Sequence, residues 1–165
     1  MARYRKSAYH VMIAALMATM IATLIAVGLP AHAGDSTFGT ITAVKSANVV
    51  TFKHDAGTYD VLVAGVEAPA KRADAENSRR FIVQMAVGQR AQFRFDGRNA
   101  QGLMVGKLYL DDSSGRVRDL GVEMIRAGMA TPARGYQGYK YGELQTAMVE
   151  ARARKIGVWN TSPQR

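Results

Sequence analysis

Apolar and polar residues alternate over short stretches in the first half of the chain and recur at helical spacing further on. Residues 38–44 alternate, with Phe38, Thr40, Thr42 and Val44 on one face, and residues 49–53 are β-branched and aromatic. The turn signal His54-Asp55-Ala56-Gly57 separates these from a third run over 58–66. Ala68-Pro69 ends that run, because proline has no N–H to give a central ladder. The spacing therefore predicts a three-stranded meander.

A helix follows, with Asp74 as its expected cap, Phe81, Ile82, Met85 and Ala86 at helical spacing, and Gly88 as its stop. Residues 90–96 alternate again, Ala91, Phe93 and Phe95 against Gln92 and Arg94. After a loop over 97–102, residues 103–110 read as a fifth strand, closed by a turn over 111–115. The last third is helical. Asp119 is placed to cap a short helix ending at Gly128, residues 131–142 read as a Gly- and Tyr-rich loop, and residues 143–156 read as a longer helix with Leu144, Met148 and Ala151 as its stripe. Phe81, Phe93, Leu144 and Trp159 are the expected core. The expectation is an α+β domain: a five-stranded OB-type β-barrel with three α-helices, one after strand 3 and two C-terminal.

The first 33 residues fit none of this. Arg3, Arg5 and Lys6 precede an uncharged apolar run over 11–29, Pro30 breaks it, and Ala31-His32-Ala33 supplies a small-x-small cleavage pattern. Residues 1–33 read as a secretory signal peptide. The run is also close to the ~20 residues of a spanning helix, so a retained anchor is the other reading. Either way residues 34–160 form one domain outside the cytoplasm, secreted or periplasmic after cleavage and membrane-anchored without it, with 161–165 a loose tail. Removing residues 1–33 takes three basic and no acidic residues, so the formal charge falls from +9 to +6. It also takes His10 and His32, leaving His54 alone. With no cysteine in the chain, multi-histidine and thiolate metal sites, disulfides and cysteine nucleophiles are all excluded.

Three stretches carry a resemblance. Val61-Leu62-Val63-Ala64-Gly65-Val66-Glu67-Ala68-Pro69 resembles the strand and turn of staphylococcal-nuclease-like (thermonuclease) domains. Ala151-Arg152-Ala153-Arg154-Lys155-Ile156-Gly157-Val158-Trp159 resembles their closing helix and tryptophan, and residues 120–130 resemble their aliphatic-x-x-Gly-x-Ala helix. The resemblance runs over about residues 38–160 in unbroken order and agrees with the predicted elements. It implies calcium-dependent phosphodiester hydrolysis, in which carboxylates hold the ion, a glutamate activates water, and two arginines neutralise charge on phosphorus. Position by position, the first metal aspartate falls on Asn48, the first arginine on Leu62, the second metal aspartate on Glu67, the glutamate on Ala70 and the second arginine on Leu103. One carboxylate remains and neither arginine does. The expectation is a scaffold whose catalytic positions are erased, with no catalytic residue, no resident metal and no cofactor.

The remaining candidates are binding residues. Lys71, Arg72, Arg79 and Arg80 cluster around the first helix, with Lys45, Lys53 and Lys107 on strands, and such a face either grips a polyanion or is solvated surface. Tyr136, Tyr139 and Tyr141, with Arg134 and Lys140, either stack on sugars or bases or pack on the barrel. The ligand candidates are Lys71, Arg72, Lys107, Arg134, Tyr136 and Tyr139. Glu67 reads as a rim carboxylate, with cation binding beside Asn48 as the sharper alternative, and His54-Asp55 reads as a surface turn. The resulting expectation is an exported, inactive nuclease-like domain acting as a binding or accessory protein in the envelope. Its partner would be an acidic polysaccharide, as in exopolysaccharide production (a process the resemblance implies), a nucleic acid, or an envelope protein. The alternatives are a secreted calcium-dependent phosphodiesterase rebuilt from Glu67, Asp55, Asp60, Arg98 and Lys107, and a purely structural module.

Overall fold

The computed structural model describes residues 36–111, 115–138 and 140–160. The signal segment, the tail, Tyr139 and part of the turn over 111–115 lie outside the described residues. Strands β1 (Ser36–Ser46), β2 (Val49–His54) and β3 (Gly57–Val63) form the expected antiparallel meander, and β5 (Arg90–Arg98) and β6 (Met104–Asp111) form a second antiparallel pair. β1 pairs with β5, and β3 pairs in parallel with β6 through Val61↔Met104, Leu62↔Val105 and Val63↔Gly106, so five strands close into an OB-type barrel. Closure removes the free edges of the sheet. Alternation fills the interior: Val50, Phe52, Val61, Val63, Ala91, Phe93 and Leu108 are buried, and Phe93 touches Phe52 and Phe95 at centroid distances of 5.5 and 6.3 Å.

The first strand corrects its expected face. Register shifts fall between Ile41 and Ala43 and again between Val44 and Ser46, and each shift breaks the two-residue period. Ile41 is therefore the buried residue, whereas Phe38 lies outside with the Arg90 guanidinium 4.9 Å over its ring. The third run also ends earlier than expected. Gly65 turns the chain at φ +74, and Val66–Glu67 becomes a separate strand, β4, paired with β8 (Thr131–Pro132). A Cβ at Gly65 would lie 2.7 Å from both Leu144 and the Tyr136 ring, so this turn needs glycine for space as well as for φ. β8 and the short β7 (Val117–Asp119) are strands that their two or three residues hide from any periodicity.

Helix α1 (Arg72–Ala86) begins two residues ahead of its expected cap. Lys71 is the capping position and gives no side-chain bond, and Asp74 sits in the first turn. Buried Ser78 ties α1 to the β1–β2 turn by donating to the Ala47 carbonyl at 2.8 Å. Helix α2 (Leu120–Arg126) is capped as expected, Asp119 accepting from the N–H groups of Gly121 and Val122. Helix α3 (Tyr141–Ala153) starts and ends earlier than expected and buries Leu144, Ala147 and Ala151. Arg126 joins the two, pairing with Glu123 and, at 3.0 Å, with Glu150 on α3. A single 3₁₀ turn, Gly157–Trp159, follows α3. Its Val158 N–H bonds to the Gly128 carbonyl at 2.8 Å, and a Cβ on Gly157 would collide with the Gly128 backbone. Among the described residues no helix is long and apolar enough to cross a membrane.

Lys107 overturns its place among the surface cations. It lies on β6 with its ammonium 3.0 Å from Asp119 Oδ2, the two side chains 0 % and 5 % exposed. Its strand parity points it out of the barrel, but Asp119 and the start of α2 cover it. Asp119 thus serves two ends at once, one oxygen on Lys107 and the other capping α2. A buried pair adds little over a well-packed apolar one, yet removing one partner strands the other charge and costs about 3–5 kcal/mol. Lys107→Met is expected to lose stability on that scale in urea denaturation. Lys107→Met with Asp119→Asn, which keeps a competent cap, is expected to recover more than half of it. A single-variant loss below about 1 kcal/mol would remove the pair from this role.

Candidate functional site

The barrel's closure gathers the positions that sequence comparison singled out. Asn48, in the β1–β2 turn, accepts from the Val63 N–H at 3.0 Å through its backbone, and its side-chain Nδ2 donates to the Val66 carbonyl at 3.3 Å. Leu62, beside Val63, pairs with Val49 on β2 and with Val105 on β6. Leu103 lies two residues ahead of Val105, Glu67 is exposed on β4, and Ala70 is exposed between β4 and α1. Asn48, Leu62 and Glu67 are thus drawn together around the end of β3, with Ala70 three residues past Glu67 and Leu103 two residues before Val105. Leu62, Leu103 and Val105 are half-buried, and the polar side chains at the family positions are one amide and one carboxylate.

This set does not fit calcium. The ion takes six to eight oxygen ligands, carboxylates foremost. Asn48 spends its amide N–H on Val66, and its oxygen lies 3.4 Å from the Ser46 hydroxyl that donates to it. Ala70 has no donor atom, which leaves Glu67. Among the described residues no group of three or more His, Cys, Asp or Glu side chains converges to hold a metal. The residues of the alternative site are engaged separately. Asp60 accepts from Thr51 and pairs with Lys45 at 3.5 Å, Arg98 donates to the Gly102 carbonyl, and Lys107 belongs to Asp119. His54 Nδ1 accepts from the Ala56 N–H and so closes the hairpin turn.

Beside Glu67 opens a groove of about 530 Å³. Residues 67–71 with Asp74 form one wall and residues 131–135 another; Tyr141, Gln145, Met148 and Arg152 of α3 and the Val158–Trp159 turn complete it. Of the expected binding residues, Lys71 and Arg134 come together here. Arg72 is exposed at the start of α1 but does not line the groove. Arg79 is held by Glu76, and Arg80 by Glu76 and Asn77. Tyr136 is half-buried and packs on Gly65, its hydroxyl donating to Asp96 at 3.3 Å, so its ring serves the barrel.

Sequence reasoning missed Arg152 and Trp159. Trp159 was expected in the core. It is instead half-exposed on the groove, with the Arg152 guanidinium 4.1 Å over its ring, because the 3₁₀ turn docks on Gly128 and carries the indole to the rim. The seven-residue spacing from Arg152 to Trp159 was the available signal, but only the tight Gly157 turn brings the two face to face. A second cavity of about 540 Å³ lies beside Asp119 and Arg118. Several of its charges neutralise one another: Arg126 with Glu123, Lys140 with Glu143, and Asp119 with the buried Lys107.

The model of the staphylococcal nuclease homologue family matches residues 59–161. The chain belongs to the staphylococcal nuclease homologue family. No curated protein matches the chain. In this staphylococcal-nuclease-like domain the match takes in Leu62, Glu67, Ala70 and Leu103 and begins after the turn that holds Asn48.

Tyr136 offers a measurable report on this end of the domain. Burial, then the nearby Asp96 carboxylate, then the hydrogen bond to it push its phenol up to about 12 from the usual 10. The neutral phenol is favoured in the folded state, so its contribution is complete below pH 10 and is lost as pH rises towards about 12. An alkaline titration followed by phenolate absorbance is expected to include a late step that belongs to Tyr136. Asp96→Asn is expected to move it towards 10 and Tyr136→Phe to delete it.

Proposed function

We propose that this is an exported, catalytically inactive staphylococcal-nuclease-like protein that binds an anionic polymer in the cell envelope, in a process such as exopolysaccharide production. The observation that carries the reading is the content of the gathered family positions. Two leucines stand where phosphate would need arginines, and one carboxylate stands where a hard cation would need several. Removing a single transition-state donor costs on the order of 10²–10³ in rate, and here the metal ligands, the base and both cations are affected together. A fold does not carry its chemistry with it, so the scaffold is free to serve another end.

Two features support binding. The formal charge is +9 for the chain and +6 without residues 1–33, which favours anionic partners. Lys71 and Arg134 are exposed and make no ion pair among the described residues. The N-terminal basic residues, apolar run and Ala31-His32-Ala33 pattern support export, with the envelope as the site of action.

The test incubates the purified protein with single-stranded DNA and RNA, with calcium and with chelator. No metal-dependent cleavage is expected. Retention on an immobilised polyanion is expected and should fall steeply with salt. Cleavage that needs calcium and disappears in Glu67→Gln would overturn the reading in favour of a rebuilt phosphodiesterase. Failure to be retained by any polyanion would overturn the binding role.

A further inference from the structure

The groove beside Glu67 carries charges of both signs that do not neutralise one another. Lys71 and Arg134 make no ion pair among the described residues, and neither do Glu67 and Asp74. Arg152 is stacked on Trp159 rather than bridged to a carboxylate. The groove therefore offers separate donors and acceptors around an aromatic plate. Its volume of about 530 Å³ falls within the range of small-ligand sites. The start of α1 runs along one wall, and its capping position Lys71 gives no side-chain bond, so the positive end of the helix adds to the three cations.

The geometry points to an acidic saccharide as the ligand of this groove. A sugar ring presents hydroxyls that donate to Glu67 and Asp74, and C–H groups that can pack against the part of the Trp159 indole left exposed beside Arg152. Its carboxylate has Arg134, Lys71 and the free edge of Arg152 to accept from, and guanidinium–carboxylate pairing is the stronger kind of hydrogen bond. A nucleic-acid strand suits the groove less well. A DNA phosphodiester backbone has no hydroxyls to donate to Glu67 and Asp74, as ring hydroxyls do, and one aromatic plate cannot hold a run of stacked bases. A neutral sugar would leave the cation excess unused. The groove shares Glu67 and Ala70 with the family positions but not Asn48, Leu62 or Leu103, so it is built largely from other residues. The assignment rests on the polymer-binding reading for the class of ligand and on the groove for the place.

Trp159 is the sole tryptophan of the chain, so its emission reports on this groove alone. The experiment titrates the purified protein with oligogalacturonate, a neutral malto-oligosaccharide of equal length, and oligodeoxythymidylate, with equilibrium dialysis as a second readout. Expected is a saturable change with oligogalacturonate only. Arg134→Ala and Lys71→Ala, both at exposed positions and with unchanged circular dichroism, should each weaken binding by about tenfold. Glu67→Gln should weaken it less, since it keeps an oxygen acceptor. A saturable response to oligodeoxythymidylate with none to oligogalacturonate would overturn the assignment in favour of nucleic acid. Binding of oligogalacturonate that leaves Trp159 unchanged and survives Arg134→Ala would place the ligand elsewhere, overturning the groove while the polymer-binding reading stands. Absence of oligogalacturonate binding by both readouts, with polyanion retention intact, would also overturn the groove alone; loss of retention itself counts against the broader reading.

Discussion

Three residue pairs of parallel sheet, Val61↔Met104, Leu62↔Val105 and Val63↔Gly106, turn a row of five strands into a barrel. The rest of the domain depends on that seam. Among the described residues it is the only parallel pairing, and the Ala64 N–H continues it to the Gly106 carbonyl at 2.8 Å. Once the seam is made, the inward residues of both strands meet in one core. The outward residues of its middle pair, Leu62 and Val105, are forced side by side, with Leu103 two residues ahead of Val105 in the chain. The same seam fixes the level at which β4 leaves β3, and so places Glu67 and the start of α1 at the edge of the groove.

Helix docking is organised around a different constraint. Lys107 needs a counter-charge because it is buried, and Asp119 supplies it while capping α2. The strand thereby determines where the helix begins. From there α2 reaches α3 through Arg126, and Gly128, just past its end, receives the 3₁₀ turn that carries Trp159. A buried charge on the barrel is thus connected, through one capped helix, to the aromatic plate of the groove.

The strands were legible because alternation is a local signal, and β5, with Ala91, Phe93 and Phe95 buried in turn, is the clearest case. β1 was legible in extent but not in facing, since two register shifts leave no mark in composition. Lys107 reads from sequence as any outward lysine. Only the arrival of α2 over that face, a tertiary event, makes it buried. The positions at the seam were found because they sit within quotable motifs. The groove was not found as a whole, because its walls come from residues 67–74, 131–135 and 141–159, which share no period. Lys71 and Arg134 were visible as exposed basic residues, whereas Arg152 and Trp159 read as helix and core.

These two constraints also explain how such a scaffold tolerates what stands at its family positions. Leu62, Leu103 and Ala70 are outward or rim residues, and none belongs to the buried set that holds the barrel. Arginines at 62 and 103 would bring two like charges together on adjoining strands, and with no anion between them they would repel. Leucines at the same places remove that repulsion and cover the backbone of the seam. On the proposed reading, loss of the chemistry therefore relieves the fold rather than straining it, while Lys107, Asp119 and the glycine turns, on which the architecture depends, stay in place. The groove is then free to change on its own, because its cations lie just before α1, in the loop after β8 and on α3, outside the barrel wall.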